Sequence, residues 1–464
     1  MIDLTVLLVA SVALQGVTGV VTAPEVVPPA VISSVTLAPA MDDPLGAFRV
    51  DGNTALRSRH AQVDASLLPQ LAGKALLDQV SLLDRGELDG FLDANPGSIS
   101  QLLLDPPAAS QSARWWESLS VIVRNRLTSA APELVGNLPG VPFHTRDEAN
   151  RALLSKTIDE LELKADSVVG RGEGAEITAR LSMLNEVGLA IQPQAGEPKR
   201  SIISLDTVWP GRASVAIGDL GAADYVSYLI PGMFFTIEGQ MVDWSETALE
   251  LYNEQASWLR LLAKTDPELR NKSVATVAWM GYETPSLFTV GSEELADAGA
   301  LYLDSAMDAL YTERGANRPY VSLVAHSYGS TAAMKALVTG SFEVDAFAVV
   351  GSPGSAAQSV DDLHVRGRNV FVGEASWDPV VGTGYFGHDP GAPSYGARPM
   401  SVAGGVDLIT HQELAASVGH NGYFSPQSES IRNMALIGID RGSLVTGGTP
   451  LDAQRTLAYF DRLI

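Results

Sequence analysis

The sequence predicts an α/β fold, a mainly parallel sheet with helices on both faces, preceded by a helical region. Three observations predict it. From residue 196 onward, short β-branched runs alternate with helical patterns of 10 to 20 residues, as βαβ units do. Before that point, apolar positions recur at three- and four-residue spacing and no convincing strand is found. One strand–helix junction, at Ser327, carries a serine between small residues.

The elements follow in order. Residues 1–45 form an apolar leader and a linker rich in Pro and Val. The stretch 4–23 carries no charge and reads as an export signal or anchor, with small residues at Val17-Thr18-Gly19 suited to cleavage. Asp3 stands where a basic residue is expected and the first arginine is Arg49, so a cytoplasmic core segment is the alternative to an exported or envelope-associated protein. Residues 46–195 form the helical region, with helices expected over 67–93, 112–128, 146–165 and 176–191. Pro106-Pro107 and the segment 136–142 punctuate it. Trp115 and Trp116 read as core, with a place near a pocket mouth as the alternative. Residues 196–464 form the catalytic α/β unit. A hairpin is expected over 202–208 and 213–217 around Pro210-Gly211. Strands follow at 225–230, 274–279, 321–324, 344–350 and 369–374, with helices at 246–264, 292–313, 328–339 and 428–437. No internal repeat is found, which excludes a solenoid.

Composition narrows the function. The 464-residue chain carries 31 Lys+Arg against 54 Asp+Glu, a net charge of −23, and no basic block. Nucleic acid and anionic lipid surfaces both need a concentrated positive face, so neither is an expected partner. The chain has no cysteine, which excludes disulfides, thiolate catalysis and cysteine-based metal sites. Asp361-Asp362 with His364, and His388 with Asp389, have metal-ligand residue types without metal-ligand spacing, so no metal is expected.

The chemistry concentrates in Val321-Ser322-Leu323-Val324-Ala325-His326-Ser327-Tyr328-Gly329-Ser330. An apolar strand runs into Ser327 and a helical run leaves it, the context that a G-x-S-x-G nucleophile elbow requires. Ala325 and Gly329 are the small residues that allow the sharp turn. The Tyr328 amide then lies at a helix N-terminus, where partial positive charge gathers and an oxyanion can be held. A serine hydroxyl needs a base, and the base an orienting acid, in the chain order serine, acid, histidine. Asp378, beyond the strand 369–374 and before Pro379, is the candidate acid, with Glu374 as backup. His420, in Gly419-His420-Asn421-Gly422-Tyr423, is the candidate base, with His388 in competition. His326 is expected to point away and pack beside the turn. The turn Pro231-Gly232-Met233 follows an apolar strand, and the Met233 amide is the candidate second oxyanion donor.

These residues resemble a known group. A-H-S-Y-G-S (325–330), G-S-P-G (351–354), A-S-W-D-P-V (375–380) and G-H-N-G-Y (419–423) are similar to an α/β-hydrolase family of high-GC Gram-positive bacteria, first catalogued as a domain of unknown function. So are P-G-R-A-S-V-A-I-G-D (210–219), A-D-Y-V-S-Y-L-I-P-G-M (223–233), W-W-E-S-L-S (115–120), G-N-L-P-G-V-P (136–142) and R-D-E-A-N-R (146–151). The likeness spans about 115 to 425. It implies an α/β-hydrolase fold, Ser327, Asp378 and His420 as a triad, no metal, no dissociable cofactor and an esterase-like activity, without supplying a substrate; a small-molecule or lipid-like ester is the expected partner. An acyltransferase acting on envelope lipids, an amidase with the same triad, and a non-catalytic binding protein are the alternatives. Substrate and oligomeric state carry no signal.

Overall fold

A computed structural model describes residues 68–167 and 170–447. The leader and linker, 46–67 of the helical region and the end of the chain lie outside the described residues.

Among the described residues, eight α-helices come first: α1 (Gly73–Val80), α2 (Arg85–Ala94), α3 (Ser98–Leu104), α4 (Ala109–Ser118), α5 (Val121–Ala130), α6 (Pro132–Asn137), α7 (Phe143–Ala165) and α8 (Arg171–Ala190). The periodicity over 67–93 suggests one helix, but Asp84 breaks it. Its carboxylate accepts the Glu87 amide while the Glu87 side chain accepts the Asp84 amide, a capping box that restarts the helix. Ser120 divides 112–128 in the same way by capping α5. Trp115 and Trp116 are buried with leucines of α1, α2 and α6, and Trp115 Nε1 donates to the Leu77 carbonyl. They are core of the helical region.

The rest of the chain alternates as its sequence suggests. In order come β1 (Arg200–Asp206), β2 (Arg212–Ile217), β3 (Tyr225–Ile230), α9 (Ile237–Leu262), β4 (Val274–Met280), α10 (Glu294–Arg314), β5 (Tyr320–His326), α11 (Tyr328–Thr339), β6 (Ala346–Val350) and β7 (Val370–Gly373). The short strand β8 (Arg398–Pro399), a small separate ribbon of β9 (Gly405–Val406) and β10 (Glu413–Leu414), and α12 (Glu429–Gly438) follow. The eight-stranded sheet has the order β1-β2-β4-β3-β5-β6-β7-β8. β2 is antiparallel to both β1 and β4, and every later neighbour pair is parallel. One face of the sheet packs on α8, α9 and α12, the other on α10 and α11. Strands β3, β4 and β6 are buried along their whole length, which is why they read as unbroken apolar runs rather than alternating ones.

β1 is an edge strand, yet side chains of α6 and α7 occupy its free backbone groups. Asn137 pairs with Leu205 as another strand would, accepting its amide at 2.8 Å and donating to its carbonyl at 3.0 Å. Asp147 accepts the Ile202 amide, Asn150 donates to the Ile202 carbonyl and Arg151 to the Arg200 carbonyl. The motifs 136–142 and 146–151 therefore join the helical region to the sheet and close an edge open to mispairing. Asn137→Ala removes both bonds to Leu205. It should cost about 1–3 kcal/mol, read as a lower urea midpoint with an unchanged slope.

Candidate active site

The parallel strands β3, β5, β6 and β7 end on one side of the sheet, where ligands of open α/β sheets bind. Ser327 stands at the end of β5 with φ 55° and ψ −132°, and its amide donates to the Val350 carbonyl at 3.0 Å. The neighbouring loop leaves no room for larger residues. A Cβ on Gly329 would lie 2.3 Å from the Pro231 carbonyl oxygen, and one on Gly232 would lie 2.5 Å from Ser327 Cβ. The turn after β3 therefore runs directly against the serine.

The three residues expected to work together are adjacent and buried. His420 Nε2 lies 2.8 Å from Ser327 Oγ, and His420 Nδ1 lies 3.0 and 3.1 Å from the two Asp378 oxygens. An ionised carboxylate only accepts, so Nδ1 carries the proton and Nε2 accepts from the serine hydroxyl. Burial works to raise the Asp378 pKa. Hydrogen bonds from His420, Tyr423 and the Val380 amide outweigh it and hold the carboxyl below its ordinary value. The loops that carry acid and base are also joined, because the Gly419 amide donates to the Ser376 carbonyl at 2.8 Å.

The runners-up lie elsewhere. Glu374 is exposed beside Gly391. His388 is exposed, and its backbone bridges Ser355. Among the described residues, neither the Tyr328 nor the Met233 amide has a protein acceptor. The Tyr328 side chain points away, its hydroxyl donating to the Ser292 carbonyl.

Two supporting residues escaped the sequence reading. The Tyr423 hydroxyl accepts the Ala375 amide and donates to Asp378 Oδ2 at 2.7 Å, fixing the acid from the far side. Gly351, at φ 61°, makes space for this arrangement: a Cβ there would lie 2.9 Å from the Tyr423 ring and 3.1 Å from Asp378 Oδ2. The only signal for either was membership of the quoted motifs. His326 corrects an expectation, since it does more than pack beside the turn. Its Nε2 donates to the His420 carbonyl at 2.7 Å, and its ring lies 4.7 Å from the His420 ring. Among the described residues its Nδ1 has no hydrogen-bond partner.

Residues 206–388 match the family described as "Alpha/beta hydrolase". Among curated proteins, the chain is 27% identical over 389 residues to the uncharacterized protein Rv2079 of Mycobacterium tuberculosis strain H37Rv, covering 73% of this chain and 57% of that one. It thus spans a little over half the length of that relative. The uncharacterized protein Mb0988c of Mycobacterium bovis is 27% identical over 225 residues, 48% of this chain and 81% of that one. Among solved structures, a CE1 ferulic acid esterase from Anaeromyces mucronatus aligns with TM-score 0.32 and 12% identity, over 55% of this chain and 95% of that one. A carboxyl esterase 2 from Tuber melanosporum aligns with TM-score 0.32 and 10% identity, over 57% and 98%.

Burial, with the His420 ring next in importance, pushes His326 down to about 3 from an ordinary 6.5. The unfolded chain therefore takes a proton below pH 6.5 that the folded chain refuses until about pH 3, and stability falls as pH drops through that window. His326→Gln removes this proton linkage. Urea unfolding between about pH 6 and about pH 4 should show wild type losing up to about 1.4 kcal/mol per pH unit more than the variant.

Proposed function

We propose that this protein is a serine hydrolase of carboxylic esters that works through an acyl-enzyme. The observation that carries the reading is the continuous hydrogen-bonded line Ser327–His420–Asp378, buried at the carboxyl ends of the parallel strands. In the forward step, Ser327 Oγ bonds to the ester carbonyl carbon while its proton passes to His420 Nε2. The carbonyl oxygen takes the negative charge, and the free amides of Tyr328 and Met233 are assigned to hold it. The C–O bond to the alcohol then breaks, and the alcohol leaves with the proton from His420. Water reverses the sequence. It gives its proton to His420 and its oxygen to the acyl carbon, and Ser327 leaves with the proton restored.

Asp378 keeps His420 in the required tautomer and stabilises the imidazolium that forms. Tyr423 and His326 are positioning residues, one behind the acid and one behind the backbone of the base. Apolar groups stand on the surrounding loops: Phe234 after β3, Phe288 after β4 and Trp377 beside Asp378, the last 89% exposed. They favour an acyl or aryl substrate over a strongly polar one. The uncharged stretch 4–23 favours an exported or envelope-associated protein.

A fluorophosphonate probe together with p-nitrophenyl butyrate turnover tests the reading. Wild type should label stoichiometrically and turn over, and Ser327→Ala should do neither. Asp378→Asn should keep the fold and lose about 10⁴-fold in kcat, because it favours the wrong tautomer of His420. Absence of labelling in folded wild type would overturn the proposal. An added alcohol that outcompetes water for the acyl group would mark a transferase using the same residues.

A further inference from the structure

A second site lies away from the triad. A cavity of about 250 Å³ opens between the helical region and the face of the sheet that carries α10. Ser327, Asp378 and His420 are not among its walls. Leu103, Phe143, Leu205, Trp279 and Tyr302 make most of it apolar.

Arg146 of α7 lines this cavity and, among the described residues, makes no ion pair. The residue is only 6% exposed. Its Nε donates to the Gly136 carbonyl at 3.1 Å, and its carbon centre lies 5.6 Å over the Phe143 ring. Among the described residues, Nη1 and Nη2 have no protein acceptor and no carboxylate pairs with them, yet neither nitrogen is sealed from solvent. Burial, the largest influence, pulls Arg146 down to about 10, so it is still a cation at neutral pH. Tyr228 and Glu313 oppose this burial through space, but neither hydrogen-bonds the guanidinium, and a buried charge without a directly bonded counter-ion is costly. Its neighbours in the motif illustrate the contrast, because Asp147, Asn150 and Arg151 are all engaged with β1. The other charges on the cavity wall are already held. Arg212 is paired with Asp206 and lies over the Tyr302 ring, and Glu133 accepts the Ser100 hydroxyl.

We propose that this cavity is a binding site for a small amphipathic carboxylate, its charged end on the free edge of the Arg146 guanidinium and its apolar body against Trp279 and Tyr302. Two parallel N–H groups on a planar guanidinium match the two oxygens of a carboxylate, and the apolar walls take a chain that a bare inorganic anion lacks. The proposal is independent of the hydrolase chemistry.

Isothermal titration of the full chain with decanoate, 1-decanol and acetate tests it. Wild type should bind decanoate saturably at one site that Arg146 controls, with decanol and acetate each weaker by about tenfold or more. Arg146→Gln should weaken decanoate by about tenfold or more while leaving p-nitrophenyl butyrate turnover within about twofold, and Arg146→Lys should recover part of the loss. Should Arg146→Gln fail to fold, Ser305→Phe decides the matter, because it narrows the cavity from α10 without touching Arg146 and should also block decanoate. Decanoate binding that is absent in wild type, or unchanged in a folded Arg146→Gln or Ser305→Phe variant, overturns the proposal.

Discussion

Ser327 occupies a positive-φ conformation that costs free energy for any residue with a side chain, and the surrounding structure is arranged to hold it there. The Val350 carbonyl accepts its amide, the Ser330 hydroxyl donates to its carbonyl, and the close passage of 231–232 blocks relaxation to either side. A strand entering and a helix leaving give no alternative path, because β5 is hydrogen-bonded to β3 and β6 and α11 is buried along most of its length. The strain sets the hydroxyl above the sheet, and the remaining parts of the site are built outward from it. His420 meets the hydroxyl, Asp378 meets His420, and Tyr423 and His326 stand behind those two.

The same logic explains why the support is mostly hydrogen-bonded rather than merely packed. A buried carboxylate beside an imidazole is stable only if its remaining lone pairs are filled. Tyr423 and the Val380 amide fill those of Asp378, and Gly351 keeps the space clear for them. Farther along, the excursion that leads toward His420 is pinned by a buried ion pair, Arg432 Nε to Asp407 Oδ2 at 2.6 Å, with Asp407 also accepting the Ile409 and Thr410 amides. A late histidine on a long irregular segment can thus be held to within hydrogen-bonding distance of a serine 93 residues earlier.

Much of this was legible in the chain because it rests on local rules. β3 and α11 have the limits their apolar runs and flanking glycines suggest, and the small residues about Ser327 point to the elbow directly. What was not legible depends on partners distant in sequence. The helix expected over 67–93 is divided by a cap whose polar atoms are invisible to an apolar periodicity. His326 looked like packing because nothing local places the His420 carbonyl beside it, and Tyr423 was one aromatic among many until Asp378 stood opposite. The stitching of β1 was hidden for the same reason, since Asn137 and Leu205 are 68 residues apart.

That stitching gives the helical region a part in the site it does not touch. α6 and α7 hold β1, β1 pairs with β2, and β2 pairs with β4, which ends in Trp279 and Met280. Beyond β4, Tyr282 stacks on Trp279 with ring centres 5.8 Å apart and donates its hydroxyl to the Pro231 carbonyl at 2.8 Å. Pro231 belongs to the turn that lies against Ser327 and carries the Met233 amide. An oxyanion donor is useful only if it is fixed before charge develops, since reorganising it during reaction would consume the stabilisation it offers. The turn after β3 has no regular structure of its own to fix it. Its rigidity is borrowed through Tyr282 from the antiparallel end of the sheet, and that end is closed by helices rather than by another strand. On this argument the helical region is a brace for the turn after β3 that carries the proposed oxyanion donor.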